Sequence, residues 1–261
     1  MKTVVAGDWH GNTVATRRAM HFAQRFGASE VFQVGDFGFG WREVKSGCAM
    51  IDACARAADA YEVDLYWLDG NHENFDKLEE IGAFGSTEPV ELAPRVYYVP
   101  RGCVLDRDDK RLLVIGGAFS VDKAYRTPHK SWWPQEEITF ADLERCYGAG
   151  EVDVVFSHDA PHSAFVAALT LAADGDLAEA QHLVYKNDLA FPGAAPNRNA
   201  LQSVLESANP HLWVHGHYHT QYEALLANGT FAYGLDMETE KGSLVLIDWE
   251  ENPVDIVRIL A

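Results

Sequence analysis

Five short β-forming runs in this chain each end in a polar cluster, usually flanked by glycine, and that recurrence constrains the fold more than any other feature. Residues 2–6 are followed by Gly7-Asp8-Trp9-His10, and 31–34 by Gly35-Asp36. Residues 63–68 lead to Asp69-Gly70-Asn71-His72-Glu73, 152–156 to Ser157-His158-Asp159, and 211–214 to His215-Gly216-His217-Tyr218-His219. Helical periodicity fills 13–26, a stretch near 43–60 and a short segment from about Asn74. Alternating β runs and helices predict βαβ units in sheets covered by helices. In such sheets ligands bind at the carboxyl ends of the strands, where these polar groups fall.

The second half varies the pattern. Residues 95–99 read as a strand, and 103–106 with 111–117 as a hairpin turning through Arg107-Asp108-Asp109-Lys110. A helical region over 162–189, interrupted at Asp174-Gly175-Asp176, precedes a Pro/Gly-rich loop at 191–197 and a helix over Asn199–Ala208. Strands, including 230–235 and 243–248, complete the chain. With no internal repeat and no linker, residues 1–261 are expected to form one α/β domain of mixed sheets, with a helical insertion at about 162–208.

Charge narrows the partners. The 261 residues carry 21 Lys+Arg against 39 Asp+Glu, a formal net charge of −18, which argues against capture of long nucleic acid or an anionic membrane face. A hydrophobic content of 48% supplies ample core and excludes a disordered acidic tail. The opening residues carry a strand pattern rather than a leader, and no apolar stretch approaches the roughly 18–20 residues that span a bilayer. Cys48, Cys54, Cys103 and Cys146 match neither a zinc ribbon nor a disulfide framework and are expected to be reduced and mostly buried. A cytoplasmic protein is the expectation; a homo-oligomer is compatible with the C-terminal strands.

Singly, each polar cluster is ordinary: Gly-Asp after a strand caps helices, and a lone His is commonly a satisfied one. Jointly they put metal-compatible groups at five strand ends, which points to a metal site. The set Asp8-x-His10, Gly35-Asp36, Gly70-Asn71-His72-Glu73, His158 and Gly216-His217-x-His219 resembles the signature blocks of the calcineurin-like metallophosphoesterase superfamily, in family order over residues 8–219.

That resemblance implies a four-layer α-β-β-α sandwich of two mixed sheets. It also implies two divalent metal ions, with Mn favoured over Fe or Zn. Asp8, His10, Asp36 and His219 would hold one, and Asp36, Asn71, His158 and His217 the other, with Asp36 bridging. Asp36 and Asn71 thereby join the catalytic set with His72, which matches the position beside the leaving-group oxygen, while Glu73 is expected to orient its loop. Water activated between the metals would attack phosphorus in line. Two cations and two carboxylates leave the site locally cationic, suited to a small phosphate ester.

Departures from the family's Ser/Thr phosphatases shift the expected substrate. Their arginines beside the second and third blocks are absent here, and Asp69 occupies one of those places. A monoanionic diester needs less positive charge, so the sequence favours a phosphodiesterase for small substrates such as 2′,3′- or 3′,5′-cyclic nucleotides. A phosphomonoesterase or protein phosphatase is the alternative, a nuclease follows, and a metal-free binding scaffold comes last because every ligand position is filled. Arg42 could compensate for the absent arginines. Lys123, Arg126 and Trp132, beside Trp133, could form a stacking and phosphate-contacting wall, or simply cover the hairpin. Arg198 is a weaker candidate for the same pocket, with a surface position as its ordinary reading.

Overall fold

The computed structural model describes residues 1–40, 49–173 and 192–259. Arg42, Cys48 and the segment around Asp174-Gly175-Asp176 lie outside the described residues.

β1 (Lys2–Ala6) enters α1 (Thr13–Phe26), whose bounds match the periodicity. The Asn12 side chain caps α1 by accepting from the Val14 and Ala15 N–H groups, and Gly27, with φ of 70°, ends it in the left-handed conformation. Ala15, Ala19, Met20 and Ala23 form the buried stripe between them. β2 (Glu30–Gln33), α2 (Ala49–Tyr61), β3 (Asp64–Trp67) and α3 (Phe75–Glu80) continue the alternation. The short strands β4 (Val90–Ala93) and β5 (Val96–Tyr98) follow, then the expected hairpin β6 (Val104–Arg107) and β7 (Lys110–Ile115). α4 (Phe140–Ala149), β8 (Val154–Ser157), α5 (His162–Ala173), α6 (Ala195–Ala208) and β9 (Leu212–His215) come next. The described chain closes with β10 (Tyr222–Leu225), β11 (Phe231–Gly234), β12 (Leu244–Asp248) and β13 (Asp255–Ile259).

Two helices differ from the sequence expectation, and the short strand β4 is an addition to it. α6 starts at Ala195, four residues before Asn199, because Pro196 sits in its first turn, where a missing N–H costs nothing. α4 is absent from the expectation, although Thr139 and Asp142 form a reciprocal capping box at its start.

The strands form two mixed sheets. One has the order β13-β12-β1-β2-β3-β5-β4 and the other β10-β11-β9-β8-β7-β6. Each has a parallel centre (β1, β2, β3 and β5; β11, β9, β8 and β7) and antiparallel edges. The period-2 alternation of side chains assigns each strand residue to a layer. Val4 packs with α1 and α2, whereas Val5 joins Phe32, Val154, Phe156 and Val214 between the sheets. On the far side, Leu113, Val155 and Trp213 meet Phe165 of α5 and Leu201 and Leu205 of α6. Three apolar layers thus separate four layers of structure, α-β-β-α. Each fully buried Val, Leu, Ile or Phe contributes roughly 1.5–3 kcal/mol. Within the region expected as a helical insertion, the described helices α5 and α6 belong to the outer layer on the second sheet.

Candidate metal centre

The carboxyl ends of β1, β2 and β3 meet those of β8 and β9 at one edge of the sandwich. Asp8, His10, Asp36 and His219 gather there, each offering one ligand atom, with these atoms all within 4.8 Å of one another; Asp36, His158 and His217 form a second such group. Asp36 belongs to both. Its Oδ2 lies 3.3 Å from His10 Nε2, and its Oδ1 lies 3.2 Å from His158 Nε2. Backbone N–H groups of Asn71 and His72 each donate to Oδ1 at 2.9 Å, which fixes the carboxylate between the groups. Asp8 is held likewise: His217 N–H donates to Oδ1 at 3.0 Å, and Oδ2 lies 2.9 Å from His219 Nε2.

Local chain geometry serves this convergence. His10, Asp36, His217 and His219 have φ of 46°, 53°, 68° and 48°, left-handed conformations that each cost a non-glycine residue of order 1 kcal/mol or more. Four such residues at one site mark strain retained for function rather than for folding. Glycines permit the close approaches. A Cβ on Gly70 would fall onto Asp36 Oδ1, and one on Gly216 onto Asp8 Oδ1.

Electrostatics of the cluster follow from its charges. Burial alone would raise the Asp8 carboxyl, but His158 and His219 outweigh it and hold it at about 2. Asp36 is kept well below the usual carboxylate range against its burial by His72, His158 and His10. In return, and again against burial, Asp36 raises His158 to about 10 and His10 to about 9. Buried carboxylates surrounded by imidazoles form a donor set suited to borderline divalent cations. Asn71 adds an independent test. Its Nδ2 donates to Ser120 Oγ at 3.1 Å, while its buried Oδ1 has no hydrogen-bond donor among the described residues. A cation satisfies such an oxygen, so the residues present fit two metal ions. His158 is oriented for the same purpose by Nδ1, 2.9 Å from Val34 O, which leaves Nε2 toward the cluster.

Other predicted residues divide. His72 Nε2 lies 3.8 Å from Asp36 Oδ2 at the partly exposed side of the cluster. Arg126 approaches it, with Nη2 at 3.3 Å from the same nitrogen, while its Nε pairs with Asp122 at 2.7 Å. Glu73 accepts from the Gly38 and Gly70 N–H groups, the loop-orienting part expected of it. Lys123 is engaged elsewhere: its Nζ pairs with Glu137 at 2.6 Å and lies 4.3 Å from the Trp132 ring centroid. That ammonium covers a face of Trp132, and Trp133 is buried in the core on the outer side of the first sheet, so the two tryptophans do not form an open stacking wall.

Arg198 is not at the surface. It is fully buried, 4.1 Å over the Phe165 ring, with Nη1 donating to Tyr218 Oη at 3.3 Å. Tyr218 in turn donates to Asp159 Oδ1 at 2.6 Å, so Arg198 braces the loop carrying His217 and His219 from behind. The Asp69 carboxylate is likewise withdrawn from the site. Arg101 donates to its Oδ2 through Nε and Nη2 at 2.8 and 2.6 Å, and Tyr98 Oη donates to Oδ1 at 2.7 Å. Its charge is therefore largely offset by Arg101. His215 is a core residue, 2.6 Å from Tyr222 Oη, and burial lowers it to about 4.

Two features had no local sequence signal. Arg101 is one, a buried guanidinium serving Asp69, Asp142 and the carbonyls of Gln135, Glu136 and Glu137. The other is Glu238, which lies beside His10 although 228 positions separate them in the chain.

Comparison with known proteins agrees with this architecture. A family model for calcineurin-like phosphoesterases matches residues 1–221. The lariat debranching enzyme of Schizosaccharomyces pombe is 25% identical over 177 residues, covering 61% of this chain but only 34% of that relative's length. A dimetal phosphatase from Danio rerio superposes with a TM-score of 0.59 at 13% identity, covering 95% of this chain and 92% of that one. The protein TT1561 of Thermus thermophilus gives 0.58 at 12% identity, covering 99% of both chains. Those two structures share the fold, and with the family model spanning most of its length, the chain belongs to the calcineurin-like phosphoesterase family.

Proposed function

We propose that this phosphoesterase hydrolyses small phosphodiesters, 2′,3′- or 3′,5′-cyclic nucleotides among them, as one catalytic domain working with two divalent cations, Mn in preference to Fe or Zn. Asp8, His10, Asp36 and His219 would hold one cation, and Asp36, Asn71, His158 and His217 the other. The observation that carries this reading is the position of Asp36, within reach of both groups and fixed by two backbone N–H donors. Bound there, the cations would supply Lewis-acid charge at the phosphoryl oxygens and lower the pKa of water toward neutrality.

The chain's own residues do the rest. Asp36 and Asp8 stay ionised and cannot rotate, so they present fixed charge. His72 places Nε2 at the open side, where it can pass a proton to the departing oxygen. A guanidinium only donates, so whenever the His72 ring is neutral its Nε2 can accept from Arg126, 3.3 Å away. When substrate arrives, Arg126 turns that N–H to a phosphoryl oxygen, and the freed Nε2 takes up a proton from solvent that it then passes to the departing oxygen. Asp122 offsets much of the Arg126 charge, which suits the single negative charge of a diester. The monoester reading remains the alternative, since Asp69, paired with Arg101, does not itself repel a dianion. The free, buried Cys54, Cys103 and Cys146 support a reducing, cytoplasmic setting.

Metal-reconstituted protein assayed on bis(p-nitrophenyl) phosphate and p-nitrophenyl phosphate, alongside both classes of cyclic nucleotide, tests the proposal. Higher kcat/KM on the diesters supports it, and preference for the monoester overturns it.

A further inference from the structure

The segment after β11 lies beyond residue 221, where the family match ends, yet it returns to the metal cluster. Glu238 is its point of contact. The backbone N–H of Glu238 donates to Asp8 O at 2.6 Å, Oε2 accepts from Asn12 Nδ2 at 2.9 Å, and Oε1 lies 3.5 Å from His10 Nδ1. One residue thus touches the loop between β1 and α1 at its first ligand, its second ligand and the cap of α1. Glu238 holds a left-handed φ of 44° to do so, close to the 46° of His10. Two non-glycine residues in this conformation, facing each other, indicate an arrangement imposed by the site.

The chemistry of His10 shows what the contact supplies. Its Nε2 faces Asp36, so Nε2 is the nitrogen directed at the cluster. An imidazole that gives the Nε2 lone pair to a cation carries its proton on Nδ1, and a carboxylate beside Nδ1 fixes that tautomer and makes Nε2 a stronger donor. His158 has only a backbone carbonyl, Val34 O, at the equivalent nitrogen. We infer that Glu238 is a positioning residue for the metal held by Asp8, His10, Asp36 and His219, and that through His10 it makes this the tighter of the two sites. The inference rests on the dinuclear reading above but assigns a residue outside the matched family region.

Titration of metal-stripped protein with Mn²⁺, followed by calorimetry and by the electron paramagnetic resonance of bound Mn²⁺, tests it without recourse to activity. Wild-type protein binding two Mn²⁺ ions in distinguishable steps is the starting condition; absence of binding would overturn the dinuclear reading itself. Glu238→Ala is expected to weaken the tighter step about 10–100-fold and leave the weaker step within about threefold. Glu238→Gln, which keeps a side-chain oxygen beside Nδ1 without the charge, is expected to recover part of that loss. Two unchanged steps in Glu238→Ala would overturn the inference while the dinuclear site stands. Equal weakening of both steps, with a lowered melting temperature and no recovery in Glu238→Gln, would show a merely structural role and also overturn it.

Discussion

Replacing Arg126 by Ala removes the guanidinium that approaches His72 and should cost turnover without costing fold or metal. The size of the loss follows from its surroundings. The Arg126 side chain is 10% exposed, so its N–H groups act in a largely desolvated position. A hydrogen bond to a charged group is worth about 1.5–3 kcal/mol there, or roughly 10–150-fold in rate at about 1.4 kcal/mol per decade. The stability change should be small, because the lost partner Asp122 is 52% exposed and an (i, i+4) pair of this kind contributes about 0.3–0.5 kcal/mol. Steady-state kinetics on bis(p-nitrophenyl) phosphate, with metal content and urea denaturation measured on the same preparation, read all three quantities. Arg126→Lys keeps the charge and loses the planar fork, so it should recover only part of the activity. A kcat/KM for Arg126→Ala within twofold of wild type, with both metals bound, would refute the assignment.

Three further outcomes are expected. His72→Ala should lower kcat by about 10²–10⁴-fold with both metals retained, seen by metal analysis beside kinetics; loss of metal would instead make His72 a ligand. Arg101→Leu strands the buried carboxylates of Asp69 and Asp142 and should cost about 3–5 kcal/mol in urea unfolding, whereas a loss below about 1 kcal/mol would show the network to be dispensable. Burial pushes the Cys54, Cys103 and Cys146 thiols up to about 12, 11 and 12, so at pH 8 they stay protonated as well as inaccessible, and a thiol reagent should titrate at most one of the four cysteines before unfolding.

Legibility in the sequence follows how local each feature is. α1 can be read to the residue because Asn12, an apolar stripe and Gly27 mark it within one segment. The ligand positions can be read because each sits just past a β run, most of them beside a glycine that close approach demands, as at Gly70 and Gly216. Edge strands such as β4 are too short for their alternation to show, and α4 escapes notice despite its capping box. The remaining features depend on which distant segments the topology brings together. Arg101 on Asp69, Arg126 on His72, Arg198 behind Tyr218 and Glu238 on His10 are pairings across 32, 54, 20 and 228 positions. Nothing in either partner's neighbourhood announces them, and Arg198 in particular looks like a surface residue until α6 is packed.

The proposed sharing of Asp36 by two metal ions can be read from metal stoichiometry. Purified protein, stripped and reloaded with Mn²⁺, is compared with Asp36→Asn by elemental analysis of metal per chain. Two ions per chain are expected in the wild type and a simultaneous weakening of both sites in Asp36→Asn, with diester hydrolysis lost in parallel. Asp36→Asn that loses one ion and keeps the other at wild-type affinity, or wild-type protein that hydrolyses diesters after complete metal removal, would contradict it.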